Sequence, residues 1–304
     1  MVLANAVPFT INADLELGGR VEAYEQGANA DVTIACGFVP ERLRGGVEAV
    51  DESFEVVADR VLLRFEGGLR FLVEGGHKIV YNSKASDTNK DVLLFLLGSA
   101  WGALAYQRGL LPLHASAISE QDNVYAFTGP PGAGKSTLSA ALAGRGRRFF
   151  ADDVLIVDPA SLDIEARCFA GQKDLKLWDD AFNLVPARRK MQVRDLSDFN
   201  KFYAAVDNQS AISVGRLRRL YVLANRPVKP DRPLFKIVPI TGTRSMRESL
   251  ASVYRPQFAE AIVGRRTLYG WLAALIRHID VATFERPLKP AYFDQGVDFI
   301  NKEL

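Results

Sequence analysis

The stretch Gly129-Pro130-Pro131-Gly132-Ala133-Gly134-Lys135-Ser136 decides the fold class of this chain. It matches the pattern G-x-x-x-x-G-K-[ST] at every required position. Glycines let a backbone pass close to phosphate groups, so that successive N–H groups and the N-terminus of a following helix point at the anion. We expect Lys135 to contact the β- and γ-phosphates and the Ser136 hydroxyl to bind Mg²⁺. The stretch therefore predicts a phosphate-binding loop, or P-loop, for a nucleoside triphosphate.

The segments on both sides of this loop have the order that a P-loop requires. Residues 124–128 form an apolar run that predicts a buried strand, and residues 136–142 (STLSAAL) predict a helix. A strand-like segment that carries acids follows at 149–157. We therefore prefer a P-loop to the alternative, a Gly/Pro-rich turn that contains a lysine by chance. The predicted nucleotide-binding residues are Gly129, Gly132, Ala133, Gly134, Lys135, Ser136 and Thr137.

Two acids and one histidine accompany the loop. Asp152 and Asp153 end an apolar run, at a place where a phosphotransferase needs a carboxylate as metal ligand or as base. A solvated turn is the alternative, and the neighbouring P-loop makes it the weaker one. His114 lies upstream in the segment 113–118, which we predict as a strand of the same sheet. Such a histidine is either a packed polar residue or a catalytic group, and nothing local decides between them.

Composition limits the class of protein. The chain has 304 residues, 48% of them apolar and 24% charged, which suffices for one large domain or two smaller ones. A formal net charge of +2 gives no general electrostatic case for nucleic acid or an anionic membrane as partner. Cys36 and Cys168 lack the spacing of a disulfide framework or a zinc site. The first residues lack the pattern of a signal peptide, so we expect a cytoplasmic location.

The chain divides by pattern near residue 85. Short apolar runs between residues 54 and 81 are separated by Gly-Gly pairs and predict antiparallel hairpins, and residues 31–36 could add a strand. The apolar stretch 92–106 is shorter than the roughly 20 residues of a membrane span, so we interpret it as a buried helix. Farther on, the patterns predict strands at 217–224 and 234–240 and mainly helix at 245–279. We therefore predict a β-rich N-terminal module over 1–85 and a P-loop domain over 86–304, which the resemblance described next implies to be a kinase domain.

Taken together, His114, the loop GPPGAGKST and the segment FFADD resemble the C-terminal kinase domain of the HPr serine kinase/phosphorylase family. ATP-dependent phosphoenolpyruvate carboxykinases have a similar order of histidine, P-loop and Asp-Asp pair. The β-rich front, the HASA segment and Lys176-Leu177-Trp178 look closest to the HPr-kinase-like enzymes of lasso-peptide gene clusters. Some of those phosphorylate a serine of a precursor peptide. The resemblance is specific from 113 to 158 and implies an α/β fold with a P-loop kinase core of the HPr kinase/carboxykinase type.

The resemblance also implies roles for the site residues. Lys135 and Ser136 would bind phosphate and metal, and His114 would assist at the phosphates or the metal. The carboxykinase pattern implies that Asp153 is the metal ligand, which leaves Asp152 as the base. The implied catalytic residues are thus Asp152, His114 and Lys135, the implied metal ligands are Ser136 and Asp153, and the implied cofactors are ATP and Mg²⁺.

One departure from the family concerns the acceptor. Thr137 stands where typical HPr kinases have an acid, and their downstream Glu-Ile-Arg-Gly segment has no counterpart. We therefore expect a serine kinase that acts on a peptide or small protein other than HPr, such as a natural-product precursor. The alternatives are a kinase of a small metabolite and a nucleotide-regulated ATPase or binding protein. The resemblance allows homo-oligomers and does not require them.

Cationic residues between 173 and 194 raise a hypothesis of acceptor recognition, although we favour a solvated face with interspersed acids. These residues are Lys173, Lys176, Arg188, Arg189, Lys190 and Arg194. Nearby, Trp178 is predicted as a packing anchor rather than a platform for adenine, since large aromatic side chains are usually structural.

Overall fold

The computed structural model describes residues 9–15, 17, 30–45, 49–82, 89–171, 173–194, 199–209, 212–229 and 233–304. Within these residues the strands form three sheets, of seven, nine and three strands. Helices lie between and after the sheets. The predicted mixed α/β class is confirmed.

The first sheet is built from the N-terminal part of the chain. Its consecutive hairpins between residues 54 and 81 are antiparallel, as predicted, while the two earliest strands join its other edge in parallel. Gly75 and Gly76 have φ of 57° and 70° in one of the tight turns, a conformation that glycine adopts without steric cost. The strands are β1 Ile11–Ala13, β2 Val32–Cys36, β3 Ala49–Asp51, β4 Phe54–Val57, β5 Arg60–Arg64, β6 Arg70–Glu74 and β7 Lys78–Tyr81.

A buried helical segment connects the first sheet to the second. Helix α1 (Asn89–Phe95) continues through a π-helical turn into helix α2 (Trp101–Gln107), and Trp101 and Leu104 are fully buried. The predicted buried helix is therefore confirmed. One hydrophobic core unites side chains of the first sheet, this segment and the second sheet. The predicted boundary at residue 85 falls within 83–88, outside the described residues, and stays a prediction.

The remaining elements belong to the second and third sheets and the helices around them. The strands are β8 Leu111–Leu113, β9 Ser116–Glu120, β10 Asn123–Thr128, β11 Arg148–Ala151, β12 Leu155–Val157, β13 Arg167–Ala170, β14 Leu175–Trp178, β15 Arg188–Gln192, β16 Lys201–Ala205, β17 Val214–Asn225, β18 Lys236–Ile240 and β19 Asp280–Arg286. The helices are α3 Lys135–Gly144, α4 Gly242–Ala251, α5 Pro256–Val263, α6 Arg265–Leu275 and α7 Phe293–Asn301. Helices α4 to α6 confirm the helical pattern predicted at 245–279.

Three parallel strands organise the second sheet. Long strand β17 pairs in parallel with β10 on one side and with β19 on the other. Because parallel strands end at the same edge of a sheet, the residues that follow them meet in one region. Strand β18 forms as predicted, and it is separated from β17 by β19. The third sheet has the order β14, β16, β15, and its strand β14 contacts the residues after β11 through the Lys176 N–H, which donates to Asp152.

The segment around His114 differs from the prediction. The predicted continuous strand 113–118 is wrong, because β8 ends at Leu113 and β9 begins at Ser116. The His114 N–H donates to the carbonyl oxygen of Ser252, which takes the residue out of the ladder and places its side chain at the edge of the sheet.

The described residues include no helix that is both long enough and apolar enough to cross a membrane.

Candidate functional site

The predicted loop connects β10 to α3. Three glycines of the loop have positive backbone φ angles, which residues with a Cβ rarely adopt: 147° at Gly129, 80° at Gly132 and 80° at Gly134. A Cβ on Gly129 would also lie 3.1 Å from the carbonyl oxygen of Leu223 on β17. The glycines therefore allow the loop to turn tightly against the sheet before the first turn of α3, where unpaired N–H groups attract an anion.

Lys135 is held by the loop itself. Its Nζ donates to the carbonyl oxygens of Gly129 at 2.8 Å and Pro130 at 3.4 Å. Burial lowers the pKa of Lys135, and the carboxylates of Asp152 and Asp153 partly oppose that effect. The ammonium group thus lies within the P-loop, where phosphate oxygens could replace the two carbonyls.

Asp152 is joined to the P-loop. The residue follows β11, is only 2% exposed, and accepts a hydrogen bond at Oδ1 from Ser136 Oγ at 2.8 Å. Its Oδ2 accepts from the backbone N–H of Lys176 at 3.1 Å. Both carboxylate oxygens are therefore fixed in position, one of them by the hydroxyl that is predicted to bind metal.

Asp153 has two different partners. Its Oδ1 lies 3.3 Å from His114 Nδ1, and its Oδ2 lies 3.3 Å from the Nζ of Lys176, which is 5% exposed. Burial raises the pKa of Asp153, but the Lys176 ammonium and the His114 hydrogen bond outweigh burial and bring that pKa below its usual range. The carboxylate therefore stays ionised at neutral pH. Its φ of 69° is a left-handed conformation that Asp tolerates better than most residues.

These groups line one end of a cleft of about 920 Å³. The other end lies between the third sheet and the segment 287–293. Trp178 is 50% exposed there. Its ring centroid lies 5.5 Å from that of Phe199 and 5.7 Å from the Lys201 ammonium, so the prediction of a packing anchor is correct only in part. The physical reason is its position as the last residue of edge strand β14, after three buried residues. Representative lining residues are Lys135, Asp153, Lys176, Trp178, Leu288 and Phe293.

The cationic residues between 173 and 194 do not form one surface. Lys173 and Lys176 are buried, whereas strand β15, which carries Arg188, Arg189 and Lys190, is largely exposed. Arg194 pairs with Asp91 of α1 at 2.8 Å. The favoured interpretation as a solvated face is therefore correct for β15 and wrong for the two buried lysines.

Arg286 is a site residue that the sequence analysis missed. It ends β19, is 5% exposed, lines the cleft, and donates from Nη2 to the carbonyl oxygen of Ala133 in the loop at 2.7 Å. The sequence pattern that could have indicated this residue is the apolar strand pattern at 280–286, which ends at Arg286 and is followed by Pro287. Its nearness to the loop depends on the pairing of β10, β17 and β19, which the sequence pattern does not give.

The donor groups fit a nucleotide-bound Mg²⁺ better than a metal held by protein alone. In the described part of the chain, no three or more His, Cys, Asp or Glu side chains cluster to enclose a metal. Mg²⁺ in nucleotide sites takes one or two protein oxygens and completes its shell with phosphate oxygens and water. The Ser136 hydroxyl and the two Asp carboxylates are such oxygens.

Comparison with known proteins gives little further information. No family model and no curated protein matches the sequence. The solved structure of the Hpr(Ser) kinase/phosphatase from Coxiella burnetii is similar over 63% of this chain and 91% of its own length, at 16% identity and a TM-score of 0.29. At these values the similarity carries no argument about activity, and the functional conclusion depends on the geometry of the site.

Proposed function

We propose that this protein is an ATP-dependent serine kinase of the HPr kinase-like class, with a peptide or small protein as acceptor. The observation that carries the proposal is the hydrogen bond between Ser136 of the P-loop and Asp152, at one end of a large cleft. A phosphate-binding loop, a carboxylate and an open acceptor space are the three parts that phosphoryl transfer needs.

In the proposed reaction, the Oγ of the acceptor serine attacks the γ-phosphorus of ATP. The new O–P bond forms as the bond between the γ-phosphorus and the β–γ bridging oxygen breaks, which releases ADP, and the serine proton passes to Asp152. Lys135 and the backbone N–H groups of the loop stabilise the charge on the transferring group. Mg²⁺, when bound with the nucleotide, neutralises further phosphate charge.

The two aspartates suit different tasks. A carboxylate with a lowered pKa is a weak base, because basicity falls with pKa. Asp153, whose pKa is lowered by Lys176 and His114, is therefore better suited to stay anionic beside a metal. We assign the base to Asp152 and the metal contact to Asp153 with Ser136.

The shape of the cleft supports a peptide acceptor. Its volume of about 920 Å³ lies near the upper end of the roughly 300–1,000 Å³ typical of ligand pockets, so the cleft extends beyond the phosphate end. Trp178 and Leu288 expose large apolar side chains there. Such groups favour an acceptor with apolar side chains near its serine over a small polar metabolite.

The experiment that tests this proposal uses a serine-containing peptide library with varied flanking residues, and natural-product precursor peptides as first members. Peptides are incubated with ATP and Mg²⁺ and analysed by intact mass. We expect the wild type to add one phosphoryl group to a peptide and Asp152→Asn to add none. The control variant Asp163→Asn should behave like the wild type, because Asp163 is an exposed acid on a turn away from the cleft. ATP binding without any peptide phosphorylation would contradict the proposal and favour a metabolite kinase or a regulatory ATPase.

A further inference from the structure

Arg286 is a buried cation whose charge is balanced by no carboxylate among the described residues. In the described part of the chain it forms no ion pair, and its Nε is buried without a hydrogen-bond acceptor. Its neighbour Glu285 points to the opposite side of β19, because side chains alternate along a strand, and pairs with Arg226. Burial lowers the pKa of Arg286 to about 10, so the guanidinium is charged at neutral pH.

A buried charge without a partner is costly, and proteins usually pair such groups or use them to bind a ligand. The hydrogen bond from Arg286 Nη2 to the Ala133 carbonyl oxygen uses one of the five N–H donors of a guanidinium. Arg286 itself lines the cleft. An anion in the cleft would supply the missing counter-charge.

The position of Arg286 identifies which part of a ligand it would meet. A Cβ on Gly134 would lie 3.0 Å from Nη2, so the guanidinium packs against the last residue before α3. In the proposed function, the first N–H groups of that helix and Lys135 bind the phosphates of the nucleotide. Arg286 thus lies at the phosphate end of the cleft, on the side of the loop formed by β19.

We propose that Arg286 is a second cationic contact to the nucleotide phosphates, alongside Lys135. This inference rests on the proposed binding of nucleotide by the P-loop. An arginine fork binds phosphate oxygens with defined geometry, which a lysine ammonium does not supply. Arg286 would thereby fix the direction of the triphosphate, and its interaction with Ala133 would hold the fork ready before the nucleotide arrives.

Calorimetric titration with Mg²⁺-ATP and with tripolyphosphate tests the inference in four proteins: wild type, Arg286→Gln, Arg286→Lys and Arg226→Gln. A hydrogen bond to a charged group typically changes affinity by roughly 10- to 100-fold. We expect Arg286→Gln to weaken both ligands by at least about 10-fold, and Arg286→Lys to weaken them by less. Arg226→Gln, which removes the same charge at the same edge of the sheet outside the cleft, should change them less than about twofold.

Two results would overturn the inference alone. One is tripolyphosphate binding by Arg286→Gln within twofold of wild type. The other is an equal loss in Arg286→Gln and Arg286→Lys, because Lys keeps the positive charge that Gln lacks, so equal losses would show that this charge does not act on the phosphates. A wild type that binds neither ligand overturns the proposed function and this inference with it.

A measurement on the unmutated protein guards against a folding defect in the variants. The Nε–H resonance of Arg286, identified by its loss in Arg286→Lys, is followed by ¹⁵N–¹H spectroscopy during addition of tripolyphosphate. We expect this resonance to shift with saturation while that of Arg226 stays in place. An unmoved Arg286 resonance at saturating tripolyphosphate would overturn the inference.

Discussion

Replacement of Asp152 by Asn separates catalysis from binding in this site. The carboxylate accepts from Ser136 Oγ at Oδ1 and from the Lys176 backbone N–H at Oδ2. An asparagine can keep both contacts, because its oxygen accepts from the Lys176 N–H while its amide donates to the Ser136 hydroxyl, which is also an acceptor. The free energy of unfolding should therefore change by about 1 kcal/mol or less.

The expected loss is in turnover. A positioned general base contributes typically 10²- to 10⁴-fold, which corresponds to about 2.7–5.4 kcal/mol at 1.36 kcal/mol for each tenfold change in rate. We expect kcat of Asp152→Asn to fall within this range, while the affinity for Mg²⁺-ATP stays within about threefold of wild type. Single-turnover phosphorylation of a library-derived peptide, measured across Mg²⁺ concentrations, gives both quantities.

Asp153→Asn is the matched comparison. It removes the partner of buried Lys176, and breaking a buried pair costs about 3–5 kcal/mol, less here because the Asp153 side chain is 30% exposed. This variant should be less stable and should need about 10- to 100-fold more Mg²⁺ for half-maximal rate. If high Mg²⁺ restores the rate of Asp152→Asn but not that of Asp153→Asn, the assignment of base and metal ligand is refuted.

Three other predictions concern the loop and the acid pair. Lys135→Ala should weaken Mg²⁺-ATP binding by roughly 10- to 100-fold in calorimetry without lowering the thermal midpoint, and unchanged affinity would contradict its phosphate contact. Gly134→Ala, which places a Cβ 3.0 Å from Arg286 at a φ of 80°, should cost roughly 1–2 kcal/mol of stability and at least about tenfold in ATP affinity. The control Gly146→Ala has a φ of 93° in open space and should lose stability alone. Asp153 has a lowered pKa when folded, so its contribution to the free energy of unfolding is complete above the ordinary Asp pKa of about 3.9 and is lost as pH falls below it. In urea titrations at a series of pH values, the free energy of unfolding of Asp153→Asn should therefore fall less steeply at acid pH than that of wild type. An identical fall in both proteins would contradict the ion pair.

The features that the sequence predicted are local ones. The P-loop and its flanking strand and helix are encoded in one continuous stretch, because the glycines, the lysine and the apolar runs have fixed spacings. The hairpins between residues 54 and 81 were recognisable for the same reason, since Gly-Gly pairs separate short apolar runs. The strand that precedes Asp152 was recognisable from its apolar run, although the sequence did not indicate that it pairs with β9.

The features that the sequence did not predict depend on distant pairing. Lys176 reaches Asp153 from the third sheet, and Arg286 reaches the loop from the third parallel strand, so neither contact has a local pattern. His114 was placed in a strand because its neighbours are apolar, whereas a backbone contact with Ser252 interrupts that strand. Trp178 is exposed because the edge strand ends at the cleft, which composition cannot reveal.

Transfer of label from ATP to a serine tests the central claim most directly. The peptide library is incubated with [γ-³²P]ATP and Mg²⁺, and the acid-stable products are separated by phosphoamino acid analysis. The account predicts labelled phosphoserine with the wild type. It predicts no labelled phosphoserine with Lys135→Ala, and none with the wild type when the ³²P is in the α-phosphate of ATP. Label found only in inorganic phosphate, or no consumption of ATP by the wild type, would contradict the account.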